Sequence, residues 1–208
     1  MPLQHILPID SNSAWAFWHI TESLDELRHL LGHEEWQQEY QQYKFEEKQK
    51  EWLAGRLCIT ALCTQHGIAM SHIEKDENGK PFLGGAPTVE ISLSHAYPYA
   101  GAILHTSLPV GIDIEAPKEK MRRIIPRLCQ ESELEWAGND LSRLSQLWSA
   151  KEVLYKIYAK RGLDFMRDLL IEFNEENIIG LINKHGEVQK YSLQFHTFDK
   201  HLICFNHY

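Results

Sequence analysis

Gly111-Ile112-Asp113-Ile114-Glu115 and Trp148-Ser149-Ala150-Lys151-Glu152, the latter running on to Lys156, decide how the chain is read. In the first stretch Ile112 and Ile114 alternate with Asp113 and Glu115, the period of a strand. Side chains of a strand alternate faces, so the isoleucines are expected to enter the core and the two acids to share the opposite face. At a rise of about 3.3 Å per residue those acids lie about 7 Å apart, and they repel unless a cation sits between them. In the second stretch Glu152 and Lys156 are four apart, neighbours on one helix face. An acid pair able to hold a metal, a third acid and a nearby cation suit chemistry on a phosphate ester. Each element alone has a plainer reading. An Asp-x-Glu before Pro117 is a solvated strand edge, and Glu followed by Lys at i,i+4 is a surface pair worth about 0.2–0.5 kcal/mol. Their joint occurrence, with Trp148, Ser149 and Lys151 around Glu152 and Gly111 opening the strand, sets them apart.

Outward from these stretches the chain alternates between sheet-like and helix-like blocks. Trp15 to Ile20 reads as the first strand, and Thr21 is the expected cap of a helix from Glu22 to Leu31 that Gly32 stops. Helical pattern resumes at His33 and runs, with a break near Tyr43 to Phe45, to about His66, carrying a stripe of Trp52, Leu53, Leu57, Ala61 and Leu62. Asn78-Gly79 is a hairpin signal between strands at residues 73–76 and 81–83. Val89, Ile91 and Leu93 alternate with Glu90, Ser92 and Ser94 as a half-buried strand, followed by strands at 100–105 and 110–115. Residues 118–161 read as helical, the last helix with Leu144, Leu147, Leu154 and Tyr158 on its core side. Strands return at 169–173, 178–183, 191–196 and 202–205. Strands, then helices, then strands without regular alternation predict an α+β fold rather than a doubly wound sheet. The seam near Ser107-Leu108-Pro109 divides the chain into expected halves of 1–108 and 109–208.

Composition frames the function. The 208 residues suffice for one good core or two small ones. With 43% hydrophobic and 24% charged residues the chain is ordinary for a soluble protein. No apolar run nears the roughly 20 residues of a membrane span, and the first residues lack the pattern of a signal peptide. The expectation is a cytoplasmic protein with no membrane partner. Cys58, Cys63, Cys129 and Cys204 lack metal-ligand spacing and read as reduced core residues. A net charge of −8 argues against nucleic acid, whose backbone calls for a basic surface.

Four motifs in order, Gly79-Lys80-Pro81, Ser92-Leu93-Ser94-His95, Gly111 to Glu115, and Trp148 to Glu152 with Lys156, resemble those of the 4'-phosphopantetheinyl transferase superfamily, in its surfactin-synthetase-activating, monomeric type. The resemblance implies a pseudo-twofold pair of α+β halves with the active site in the cleft between them. It implies transfer of the 4'-phosphopantetheine moiety of coenzyme A to a serine of an apo acyl or peptidyl carrier protein, releasing adenosine 3',5'-bisphosphate. Asp113, Glu115 and Glu152 would hold Mg²⁺ against the coenzyme pyrophosphate. Glu152 would also take the serine proton, and Lys156 would stabilise or protonate the leaving phosphate. Lys80 beside Pro81 would touch the coenzyme, Ser94 and His95 its 3'-phosphate, and Lys151 would hold a phosphate or pack at the helix edge. Among Lys48, Lys50 and Arg56, a basic pattern that Glu51 interrupts, Arg56 is the choice for the basic residue gripping the nucleotide, with a structural ion-pair partner as its other reading. Without the resemblance, Lys80 reads as a solvated lysine and His95 as a structural histidine. The remaining eleven histidines, including His29 and His33, keep the structural reading.

Lys118, Lys120, Arg122, Arg123 and Arg127 form a basic run on an acidic chain, either a solvated helix face or a docking patch for an acidic carrier. Two competing functions remain in view. A Mg²⁺-dependent nuclease or phosphodiesterase uses similar acids but wants a basic approach. A binding module with a decayed site would not be expected to keep all three carboxylates and Lys156.

Overall fold

The computed structural model describes residues 3–32, 36–69, 72–174 and 177–208, and the chain divides into two compact units. One comprises Met1–Glu74 and Pro81–Pro109, the other Lys75–Lys80 and Val110–Tyr208.

The first unit is built on β1 (Leu3–Pro8), β2 (Ser13–His19), β3 (Ile73–Lys75), β4 (Pro81–Leu83), β5 (Glu90–Ala96) and β6 (Tyr99–His105). They form one sheet in the order β1-β2-β6-β5-β4-β3. Helices α1 (Leu24–Leu31), α2 (Gln37–Gln41) and α3 (Glu46–Gln65) accompany it, and α3 lies on β6, β2 and β5. Its stripe residues Trp52, Leu53, Leu57 and Leu62 are buried with Ala14, Ala16, Ile91 and Leu104 of the sheet. Asp76 organises the β3–β4 turn: its carboxylate accepts the N–H groups of Asn78 (2.8 Å) and Lys80 (2.9 Å). Gly79 takes the positive φ of 89° that this turn requires.

The second unit carries β7 (Ile112–Glu115), β8 (Leu169–Phe173), β9 (Ile178–Lys184), β10 (Glu187–Phe198) and β11 (His201–His207). Every pairing in the order β7-β11-β10-β9-β8 is antiparallel. Helices α4 (Met121–Ile124), α5 (Glu131–Ala137) and α6 (Leu141–Tyr158) precede β8, and α6 packs across β11, β7, β8 and β9. Leu144, Leu147 and Leu154 of its expected stripe are buried against Leu169, Ile182, Leu193 and Cys204, while Tyr158 is half-buried. The protein is therefore α+β, with an antiparallel sheet and its own helices in each unit. Among the described residues no helix is long and apolar enough to cross a membrane.

Several boundaries differ from the sequence reading, each for a local reason. β1 was not expected; it owes its form to pairing with β2, Ile6 opposite Ala16, and Pro8 is tolerated because it ends an edge strand. Helix α1 starts at Leu24, and its cap is Ser23 rather than Thr21. The Ser23 hydroxyl accepts the Glu26 N–H while the Glu26 carboxylate accepts the Ser23 N–H (2.8 Å), a reciprocal capping box. The expected helical block at 118–161 is broken twice. Gln130 and Glu133 form a capping box that opens α5, and the Asp140 carboxylate accepts the Arg143 N–H (2.8 Å) to open α6. The expected helix start at His33 lies outside the described residues.

Two glycines let α6 reach the sheet. A Cβ at Gly111 would stand 2.5 Å from the Val153 carbonyl oxygen and 3.2 Å from Ile157 Cγ1. One at Gly180 would stand 2.7 Å from Leu154 Cδ2. The Gly111 neighbour is backbone, which a rotamer change does not relieve. Replacement Gly111→Ala is accordingly expected to destabilise the protein by about 1–3 kcal/mol, the range for overpacking a core. Chemical denaturation should show a lowered midpoint at unchanged slope, whereas an unaltered midpoint would contradict the close approach.

Candidate active site

α6 lies on β7 so that Ser149, Glu152 and Lys156 stand over the acidic strand. Asp113 is 7% exposed. Its Oδ2 accepts a hydrogen bond from Ser149 Oγ (2.8 Å) and its Oδ1 one from Lys156 Nζ (3.0 Å). Lys156 also donates to the Ile112 carbonyl (2.7 Å). The alternation expected from the sequence is present, but the acid face is the helix-covered face. Ile112 and Ile114 are buried as well. A carboxylate survives there because a hydroxyl and an ammonium satisfy both of its oxygens.

Glu115, at the half-buried end of β7, accepts from the Ala116 N–H (3.0 Å) and the Lys118 ammonium (3.1 Å). Glu152 is half-buried, and its carboxyl is pushed up to about 7, first by burial and then by the negative charges of Asp113 and Glu115, against the opposing pull of Lys156. The structure thus brings together Asp113, Glu115, Glu152 and Lys156 within the second unit. Burial, with the charges of Asp113 and Glu115 added to it, favours a proton on Glu152.

That excess of hard-oxygen charge is what a divalent cation relieves. Among the described residues no three side chains form a ready-made cage for a metal. Mg²⁺ does not require one: it usually takes one or two carboxylates and completes its octahedron with waters and substrate phosphate. The donor set fits that use, with Asp113, Glu115 and Glu152 as its candidate ligands.

Lys151 requires correction. Expected on a phosphate of the coenzyme, it is 1% exposed and faces inward. Its ammonium pairs with Glu133 (2.8 Å) and donates to the carbonyls of Phe165 (2.9 Å) and Leu169 (2.7 Å). All three N–H groups are engaged, leaving none for a phosphate. Glu133, which the sequence reading passed over, receives the N–H of Ile171 (2.9 Å) and of Gln130 (2.7 Å) as well. Its spacing from Gln130 is legible as a capping box; its burial is not, because it depends on β8 arriving from far along the chain.

The remaining expected residues are placed as follows. Lys80 and Pro81 stand at the end of the β3–β4 turn and the start of β4, half-buried. Ser94 and His95 are consecutive on β5, Ser94 buried and His95 exposed. Arg56 does not extend from α3 as a free cation. Its guanidinium lies 3.6 Å from the centroid of the Trp52 ring, and burial pushes its pKa down to about 10 against the charges of Glu39 and Tyr43. The buried acid of this unit is Glu51, which the sequence reading treated only as an interruption of the basic pattern. It is 1% exposed; Oε2 pairs with Lys48 (2.6 Å) and His95 Nδ1 (3.1 Å), and Oε1 accepts the Tyr97 N–H (2.8 Å).

With this geometry in place, two family models match the chain. The model of the 4'-phosphopantetheinyl transferase superfamily matches residues 109–205, and that of the 4'-phosphopantetheinyl transferase N-terminal domain matches residues 37–105. The chain belongs to the 4'-phosphopantetheinyl transferase superfamily. No curated protein matches it. Membership makes the chain a transferase and supports transfer of phosphopantetheine to carrier proteins. The superfamily match at 109–205 contains Asp113, Glu115, Glu152 and Lys156.

The raised Glu152 carboxyl has a measurable consequence for the metal-free transferase. A carboxyl whose folded pKa is raised from 4.5 to about 7 binds its proton more tightly folded than unfolded. Its contribution is full below about pH 4.5 and is lost as the pH rises through 7. In chelator, Glu152→Gln should therefore melt with the wild type near pH 4.5 and above it at pH 8. Equal melting temperatures at both pH values would contradict the raised carboxyl.

Proposed function

We propose that the protein transfers the 4'-phosphopantetheine moiety of coenzyme A to a serine of an apo acyl or peptidyl carrier protein, releasing adenosine 3',5'-bisphosphate, with Mg²⁺ required. The paired family matches carry this reading, and the cluster of Asp113, Glu115, Glu152 and Lys156 in the second unit gives it a chemical centre. On this reading residues 1–108 serve the nucleotide of coenzyme A, and residues 109–208 supply the acids and the catalytic helix.

The step joins the carrier serine oxygen to the β-phosphorus of the coenzyme, on the pantetheine side, and breaks the pyrophosphate P–O bond. The serine proton goes to the Glu152 carboxylate, and the bisphosphate leaves with the bridging oxygen. A carboxyl near 7 is half ionised at neutral pH and a stronger base than an ordinary glutamate, and such assistance is worth about 10²–10⁴ in rate. Lys156 holds Asp113 in place through a 3.0 Å contact, and its ammonium lies beside the carboxylates where the leaving phosphate gains charge. Bound Mg²⁺ would supply Lewis acidity and charge neutralisation at the pyrophosphate. Lys80 and His95 would meet the coenzyme from the first half of the sequence.

Incubation with coenzyme A, Mg²⁺ and an apo carrier should yield the phosphopantetheine adduct by intact-mass spectrometry. Chelation should abolish it, and Asp113→Ala should lower the rate by at least about 100-fold, the scale of one lost electrostatic contact at a reacting phosphate. Absence of adduct on fatty-acid, polyketide and peptide-synthetase carriers alike would sink the reading. No observation favours the phosphodiesterase alternative.

The carrier would be met through the exposed part of the basic run. Arg122 is tied to Glu119 and to Asn139, and Lys118 to Glu115. Lys120, Arg123 and Arg127 are exposed around Ile124, itself 38% exposed. Charge reversal at Lys120 and Arg123 together should raise the KM for an acidic carrier several-fold and leave that for coenzyme A unchanged. An unchanged carrier KM would remove this surface from the docking site.

A further inference from the structure

α6 buries two serines about one turn apart, and they are used differently. Ser145 and Ser149 are both 0% exposed. The Ser145 hydroxyl donates to the Leu141 carbonyl four residues back (2.8 Å), the usual bond of a serine inside a helix. The Ser149 hydroxyl instead leaves its own helix and donates to Asp113 Oδ2 on β7, also at 2.8 Å. Alanine is the better helix former and buries no polar atom, so the helix itself does not call for this hydroxyl. What uses it is a carboxylate 36 residues earlier in the chain.

The other oxygen of Asp113 is held from the same helix. Lys156 Nζ reaches Oδ1 at 3.0 Å and the Ile112 carbonyl at 2.7 Å. Ser149, Glu152 and Lys156 follow the i, i+3, i+7 spacing of one helix face. The two donors therefore bracket Glu152 along α6 while each holds one oxygen of Asp113. The last torsion of an aspartate is soft, so a single donor lets the carboxylate turn; donors on both oxygens fix its plane. An ionised carboxylate has about four acceptor sites, and two donors orient it without exhausting it. Groups that orient a ligand in this way usually matter to a metal nearly as much as the ligand does.

We infer that Ser149 is a positioning residue: its hydroxyl, with the Lys156 ammonium, fixes the Asp113 carboxylate in the orientation in which it serves, together with Glu152, as a ligand for a divalent cation. The inference rests on the metal requirement of the function proposed above. Ser149 touches neither metal nor substrate and acts through Asp113.

The test is a Mn²⁺ titration of the full chain saturated with coenzyme A, followed by the electron paramagnetic resonance of unbound Mn²⁺. Ser149→Ala should weaken Mn²⁺ binding by about tenfold or more, the scale of a lost partner behind a metal ligand. Coenzyme A affinity in chelator, read by calorimetry, should stay at the wild-type value. On an Asp113→Asn background the same substitution should change Mn²⁺ affinity by less than about twofold, because the carboxylate it orients is already gone. Unchanged Mn²⁺ affinity in Ser149→Ala overturns the inference. So does an equal loss on both backgrounds, or a parallel loss of coenzyme A affinity, either of which marks a hydroxyl needed only for packing. A wild type that binds no Mn²⁺ overturns it as well. Should Ser149→Ala fail to fold by circular dichroism, Ser149→Cys carries the same comparison, since a thiol is a weak donor. The two readings fail separately. Mn²⁺ binding that depends on Ser149 without transfer to any carrier would sink the transferase and leave Ser149 its role. Transfer with Mn²⁺ binding indifferent to Ser149 would do the reverse.

Discussion

Backbone contact between α6 and β7 is the constraint on which the second unit depends. At Gly111 the strand meets the helix carbonyl of Val153 with no room for a Cβ. That approach brings Ser149 and Lys156 within hydrogen-bonding distance of Asp113 and sets Glu152 among three charges. A helix held further away would leave Asp113 buried without partners, a state costing several kcal/mol. Asn206 secures the strand end from the other side: its side-chain oxygen accepts the Gly111 N–H at 2.8 Å. The same glycine therefore serves packing and chemistry together.

Among the described residues charge is buried in three places, each time on different terms. Lys151 and Glu133 neutralise one another wholly inside the second unit, with every donor of the lysine engaged. They tie α6 to α5 and to the residues around β8, and removing either partner alone would strand the other, typically at 3–5 kcal/mol. Asp113 is partnered by Lys156 but stands near two further acids, so the local balance is negative. Glu51 meets Lys48 and His95 at one oxygen and the Tyr97 N–H at the other. A surplus of negative charge, as around Asp113, suits a metal.

Much of the site was legible along the chain because its spacing is local. Asp113 and Glu115 two apart on a strand, and Glu152 and Lys156 four apart on a helix, follow from the periods of the two elements. Lys151 was misread because its neighbours in sequence, Glu152 and Trp148, say nothing of Phe165, Leu169 or Glu133. Arg56, the sequence-based choice for the nucleotide, stacks on Trp52 of its own helix. Glu51 looked like an interruption in a basic stretch, since its partner His95 lies 44 residues away.

The sequence by itself determined most of the elements, the α+β class and the acids of the candidate centre, because periodicity, turn residues and motif order are properties of short stretches. Only the tertiary structure decided which charges are buried and which partners satisfy them. Burial depends on what arrives from elsewhere in the chain: α6 over Asp113, β8 beside Glu133, and β5 beside Glu51. In a low-dielectric interior that arrival sets whether a charge is structural, as at Lys151, or left to act on a substrate, as proposed for Glu152 and His95.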